Sequence, residues 1–129
     1  MKILERIMLV DDDHTTNFYN EIMLKQNNVS KDIIIFQSGK EALEYLDTGN
    51  EKVDLILLDI NMPIMNGWQF LEQFNQLDEK KREAIIIVML TSSINSDDRK
   101  RTEAFQSVKK FINKPLNKHS INEVLEVFE

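Results

Sequence analysis

Apolar residues gather in short runs at 7–10, 33–36, 53–58 (interrupted only by Asp54) and 85–90, with a weaker run at 108–112. These runs are rich in Ile, Leu and Val and do not alternate with polar residues. Strands apolar at every position are buried on both faces, as in a parallel sheet covered by helices. Between the runs the spacing changes to that of amphipathic helices. Residues 14–26 read as the first helix and carry Phe18, Ile22 and Met23; Ala42, Leu43 and Leu46 mark a second. Phe70, Leu71, Phe74 and Leu77 share one helical face, and so do Ile121, Val124, Leu125 and Phe128. Residues 96–106 are the least amphipathic and begin with the charges Asp97-Asp98-Arg99-Lys100-Arg101, of which Arg99-Lys100-Arg101 are expected to form a solvated helix face. Ser38-Gly39 and Asn66-Gly67 are turn signals. The alternation predicts five β-α units in a doubly wound α/β fold, a five-stranded parallel sheet with helices on both faces. Its 129 residues, with neither internal repeat nor low-complexity tract, suit a single domain over 1–129.

Composition narrows the partners. The net charge of -6, from 22 acids against 16 bases, argues against nonspecific nucleic-acid binding. With no cysteine, a disulfide frame and a thiolate metal site are both excluded. The longest apolar run, 84–90, is far below membrane-spanning length. Residues 1–6 are charged too early and are too short for a signal peptide. The expectation is a cytoplasmic protein with no membrane and no direct nucleic-acid contact.

The chemistry collects at strand ends. The first run leads straight into Asp11-Asp12-Asp13 and the third into Asp59; Thr91 follows the fourth and Lys114 the fifth. Ligands of such sheets bind outside the carboxyl ends of the strands, where the strand order reverses. Neighbouring carboxylates resist ionising together unless something positive joins them. Oxygen ligands select a hard divalent cation, so Asp12 and Asp59 are expected to hold Mg²⁺, with Asp11 assisting directly or through water. Lys114 adds a point charge and Thr91 a hydroxyl donor. Such a set suits phosphoryl transfer, whose transition state spreads charge over the equatorial oxygens. A carboxylate can itself be the nucleophile and form an acyl phosphate. Asp59 is the better candidate, because it stands on a different strand from the Asp11-Asp12 pair. Asp13 reads as the cap of the first helix. His14 is a poor candidate ligand beside a cation that prefers oxygen. Trp68 and Phe70 read as packing residues.

The segments Leu9-Val10-Asp11-Asp12, Leu57-Leu58-Asp59-Ile60-Asn61-Met62-Pro63, Met65-Asn66-Gly67, Leu90-Thr91-Ser92 and Asn113-Lys114-Pro115 together resemble the receiver domain of bacterial response regulators. The resemblance covers nearly the whole chain and implies a flavodoxin-like fold with strand order 2-1-3-4-5. It implies that Asp59 accepts a phosphoryl group from a phosphohistidine on a sensor histidine kinase or histidine phosphotransfer protein. Mg²⁺ would be held by Asp11, Asp12, Asp59 and the backbone carbonyl of Asn61. Thr91 would bond a phosphoryl oxygen, Lys114 would pair with the phosphoryl group, and a cis Lys114-Pro115 bond would aim the lysine inward. Phe111 matches the switch aromatic that turns inward as Thr91 moves. The surface of the fourth helix, fifth strand and fifth helix would then change its preference for a downstream protein. The implied role is a stand-alone signalling switch, not an enzyme beyond its own phosphorylation and dephosphorylation. The chain departs from the family pattern at Asn66, where Asp is usual; at Phe105-Gln106-Ser107-Val108, where many members have Gly-Ala; and at Phe111, where Tyr would add a hydroxyl.

Other readings fit less well. A Mg²⁺-dependent aspartyl phosphohydrolase needs a second acid two residues beyond its nucleophile or a covering insertion, and position 61 is Asn. A flavin carrier needs a phosphate-cradling loop after the first strand, where Asp11-Asp12-Asp13-His14 would repel the phosphate. A receiver that has lost its chemistry would not keep the acids, Thr91 and Lys114 together.

Overall fold

A computed structural model describes residues 3–92 and 95–129; Met1 and Lys2 of the N-terminal segment read above lie outside it. The elements run β1 (Leu4–Val10), α1 (His14–Gln26), β2 (Ser30–Phe36), α2 (Gly39–Thr48), β3 (Leu55–Asp59), α3 (Gly67–Phe74), α4 (Glu79–Arg82), β4 (Ile86–Thr91), α5 (Ser96–Arg101), β5 (Val108–Asn113) and α6 (Lys118–Glu126). All strand pairs are parallel and the order is β2-β1-β3-β4-β5. This is the doubly wound parallel sheet that the alternation of runs and stripes predicted, in the flavodoxin-like strand order that the resemblance implied.

The side-chain period of two explains why unbroken apolar strands are needed. Met8, Val10, Ile56, Leu58, Ile87 and Met89 face one way and meet Ala42, Leu43 and Leu46 of α2 and Phe70, Leu71 and Phe74 of α3. Ile7, Leu9, Leu55, Leu57, Val88 and Leu90 face the other way and meet Leu24 of α1 and Ile121, Val124 and Leu125 of α6. Each large apolar side chain so buried contributes on the order of 1.5–3 kcal/mol. Both faces of the central strands must therefore be apolar.

Both expected turns are helix starts. Ser38 caps α2 through Glu41 N–H, and Asn66 closes a capping box with Gln69. Asp13 caps α1, as read: its side chain accepts from Thr15 N–H.

Four details differ from the pattern. Helix α3 ends at Phe74, so Leu77 packs on the core from the following turn. A short helix, α4, follows Asp78; its Glu-Lys-Lys-Arg sequence has no apolar stripe to announce it. Residues 96–106 split into the short α5 and a 3₁₀ turn, Thr102–Ala104, as their weak amphipathicity allows. Arg101 is not merely solvated, because its guanidinium lies 4.4 Å from the Trp68 ring centroid.

The first helix holds the largest surprise. Phe18 and Ile22 are 57% and 38% exposed, and the buried positions of α1 are Asn17, Asn20 and Leu24. Positions 17, 20 and 24 lie on one helical face, so α1 turns a partly polar seam toward the sheet. The seam begins beneath the acidic loop.

Candidate phosphoryl-acceptor site

Strand β1 delivers Asp11 to the edge of the sheet, where its N–H donates to the Phe36 carbonyl at 3.1 Å. Its side chain is bound on both oxygens: Oδ1 accepts from Asp13 N–H at 2.9 Å and Oδ2 from Lys114 Nζ at 2.8 Å. Asp59 closes β3, and its Oδ1 lies 2.9 Å from the same Lys114 ammonium. Asp11 and Asp59 are buried, whereas Asp12 is exposed. Oxygens of Asp11, Asp12 and Asp59 all lie within 4.8 Å of one another. The structure thus brings together the three acids that the strand ends placed on one rim.

Burial holds the Asp59 carboxyl above its ordinary value, and nearby Asp11 pushes the same way; the Lys114 hydrogen bond and the Asn61 backbone N–H oppose them in part. The Lys114 ammonium is displaced upward: burial works against its charge, but hydrogen bonds to Asp11 and Asp59 outweigh burial. The Asp13 carboxyl is lowered by its bonds to Thr16 and Thr15.

The acid cluster is compact enough that Asp11, Asp12 and Asp59 would together hold one small divalent cation, which would neutralise their crowded charge. The exposed side at Asp12 suits an ion that keeps several waters and takes phosphate oxygens. These three acids make a set typical of a receiver Mg²⁺ site. His14 does not belong to the cluster.

Thr91 is the last residue of β4 and is buried; its carbonyl accepts from Lys114 N–H at 2.8 Å. The Lys114-Pro115 bond is cis, as the motif implied. Phe111 is half-buried on the edge strand β5 and packs against the core face that holds Met89. Asn61 is exposed in the loop after β3. Sequence reasoning missed Asn17, whose Nδ2 donates to the Asp11 carbonyl at 2.8 Å. It also missed Tyr19, whose hydroxyl donates to the Leu116 carbonyl at 3.1 Å. Their only signal was position, a few residues after the acids on a helix assumed to bury its apolar side chains.

A model of the response regulator receiver domain matches residues 7–126. The chain belongs to the receiver domain family. This receiver is 33% identical to "Response regulator Rcp1" of Synechocystis over 97 residues, covering 71% of this chain and 65% of that protein. It is 26% identical over 130 residues to "Hybrid signal transduction histidine kinase L" of Dictyostelium discoideum, covering 98% of this chain and 7% of that protein. The chain therefore spans less than two thirds of the length of these curated relatives. Among solved structures, a two-component response regulator from Cytophaga hutchinsonii superposes with a TM-score of 0.89 at 27% identity, covering 98% of this chain and 97% of that one. A receiver is a phospho-accepting signalling module of two-component systems, not an enzyme, which removes the phosphohydrolase reading. Membership implies a histidine kinase as partner. Among the described residues, no helix is long and apolar enough to cross a membrane.

The end of β3 is packed tightly against Gly67. A Cβ at Gly67 would lie 2.8 Å from the Asp59 carbonyl oxygen and 3.0 Å from Ile60 Cα. Both are backbone atoms, so relief requires moving the end of β3. Gly67→Ala is expected to lower stability by about 1–3 kcal/mol, the usual cost of overpacking. Urea unfolding of the variant beside the native chain measures this; equal midpoints would mean that the strand end yields freely.

Proposed function

We propose that Asp59 is the phosphoryl acceptor of a magnesium-dependent switch formed by residues 1–129 acting as one receiver unit. The observation that carries this reading is the Lys114 ammonium bridging Asp11 and Asp59 at 2.8 and 2.9 Å. One cation there restrains the nucleophile and stands ready to pair with an incoming phosphoryl group. In the transfer, an Asp59 carboxylate oxygen forms a bond to phosphorus as the phosphorus–nitrogen bond of a phosphohistidine, protonated on its other ring nitrogen, breaks and neutral imidazole leaves. With acetyl phosphate the breaking bond is phosphorus–oxygen and acetate leaves. Lys114 then shifts from carboxylate to phosphoryl oxygen, and the Thr91 hydroxyl donates to another. Asp11, Asp12, Asp59 and the Asn61 carbonyl would hold Mg²⁺, which when bound supplies charge neutralisation at the phosphoryl oxygens.

The donor is a sensor histidine kinase or a histidine phosphotransfer protein, which places the reaction in the cytoplasm. Output passes through Thr91 and Phe111 to the face of α5, β5 and α6 and so to a downstream protein, without direct nucleic-acid contact. Phe111 pairs in register with Met89 one strand inward, two residues before Thr91. A shift of the Thr91 loop is therefore one short step from the aromatic.

The test combines labelling and binding. Incubation with acetyl phosphate and Mg²⁺, followed by mass spectrometry, is expected to add one phosphoryl group, on Asp59; a group on another residue would overturn the assignment. Mg²⁺ at 100-fold its Kd is expected to stabilise the fold by about 2.7 kcal/mol through mass action. Asp12→Ala should abolish most of that gain. A melting temperature flat in Mg²⁺ for the native chain would refute the cation site.

A further inference from the structure

We propose that Asn17 and Tyr19 of α1 are positioning residues for the phosphoryl-acceptor crevice, Asn17 through the acid loop and Tyr19 through the lysine loop. This rests on the reading of Asp11, Asp12 and Asp59 as a Mg²⁺ site. The problem they solve is one of sheet order. Asp11 and Asp12 follow β1 and Lys114 follows β5, with β3 and β4 between those strands. No strand hydrogen bond joins the two loops directly, yet the Lys114 ammonium must sit within hydrogen-bond reach of Asp11.

Helix α1 touches both loops. Asn17 Nδ2 donates to the Asp11 carbonyl at 2.8 Å, on the backbone between the two acids. Two residues along the helix, on nearly its opposite side, the Tyr19 hydroxyl donates to the carbonyl of Leu116 at 3.1 Å. Leu116 lies two residues beyond Lys114 and is itself fixed in the core at 1% exposure. One rigid element thus carries a donor to each arm of the site.

The state of the Asn17 amide argues that it is there for the loop. Asn17 is 1% exposed, and its Oδ1 has no protein donor; Asn20, one turn on, is 2% exposed with the same orphaned oxygen. A buried amide oxygen without a donor costs stability, and an apolar side chain of the same shape would remove that cost. Packing alone would favour leucine at position 17. What leucine cannot supply is the N–H that fixes the Asp11 carbonyl, and with it the angle at which both carboxylates leave the backbone. Hydrogen bonds behind ligating groups typically govern metal affinity by about 10–100-fold. Tyr19 acts on the other arm. Its loss removes one tie on the lysine loop and leaves the acids in place.

The two roles separate experimentally on the metal-free full chain. Calorimetric Mg²⁺ titration of Asn17→Leu is expected to show a Kd about tenfold weaker. Tyr19→Phe is expected to keep the native Mg²⁺ Kd within about twofold while its labelling rate by acetyl phosphate at saturating Mg²⁺ falls about threefold or more, a modest share of what a 1 Å misplacement can cost. Asn17→Ala also withdraws the donor from Asp11 and carries the same Kd expectation, so a poorly folding leucine variant does not block the test. Native Mg²⁺ affinity in both Asn17 variants overturns the assignment of Asn17, as does a lowered melting temperature with an unchanged Kd. A native labelling rate in Tyr19→Phe overturns that of Tyr19. A native chain that binds no Mg²⁺ instead overturns the reading of the crevice on which the inference stands.

Discussion

Asp59→Asn is expected to reduce labelling by acetyl phosphate and Mg²⁺ to background. The substitution keeps the shape at the end of β3 and replaces a carboxylate oxygen with an amide that is not a nucleophile. The same variant should be more stable than the native chain when metal is absent. Burial and the neighbouring Asp11 raise the Asp59 carboxyl above its ordinary 3.8 despite Lys114. A carboxyl raised in the folded state stabilises the fold only while protonated. The native chain has the benefit of that proton below about pH 3.8 and loses it as pH rises through the folded-state value. At neutral pH, therefore, the ionised group costs stability and the asparagine does not. The gain should appear as a higher metal-free Tm at neutral pH. The difference should vanish toward pH 3.8. Intact-mass spectrometry and thermal unfolding across pH measure both arms. Normal labelling of the variant would move the nucleophile elsewhere, and a lower metal-free Tm would mean that Lys114 more than compensates the buried charge.

Lys114→Met is expected to slow labelling by about 100-fold, the scale of losing one charge-stabilising donor at a developing anion. Its metal-free stability should fall by about 2–3 kcal/mol, somewhat less than for breaking a fully buried pair, because the lysine side chain is 22% exposed. The loss has two parts: the hydrogen bonds to Asp11 and Asp59 disappear, and the two carboxyl groups are left facing each other across the vacated position. Mg²⁺ should restore part of the stability and little of the rate, since the cation relieves the repulsion without replacing the ammonium at the phosphoryl group. The pH dependence has a definite sign. A lysine raised in the folded state stabilises fully below its ordinary 10.5 and ceases to do so as pH rises through the folded value above it. The native-minus-variant difference should therefore be level from neutral pH to about 10 and shrink beyond. Urea unfolding at several pH values reads this directly. A variant as stable as the native chain at pH 7 would mean that the bridge contributes nothing to the metal-free fold.

The reading of α1 shows where pattern and packing part company. Phe18 and Ile22 look like a core stripe, yet they lie outside, while Asn17 and Asn20 lie inside. Periodicity located the helix to its last residue, because apolar and polar positions both repeat with the turn. It could not choose the inward face, because the rotation of α1 is set by its contacts with residues far away in the chain. Arg101 is similar: in the chain it belongs to a charged run, and only the approach of α5 to α3 sets it over Trp68. The helix α4 was invisible because a four-residue charged turn held by the Asp78 cap has no periodic signal.

What the amino-acid order determined by itself is the list of elements and the edge on which the chemistry stands. The Ile, Leu and Val runs of the central strands are satisfied by burial on both faces, whereas the run of the edge strand β2 leaves Ile35 exposed, and an acid, hydroxyl or lysine just after such a run surfaces at the carboxyl end of its strand. What only the tertiary structure decided is distance and solvent. It placed one lysine against two acids on strands that are not its neighbours, buried Asp11 and Asp59 while leaving Asp12 open, and turned a polar face of α1 inward. Those outcomes depend on strand order and helix rotation, which are settled by packing among residues far apart in the chain and so leave no local mark in it.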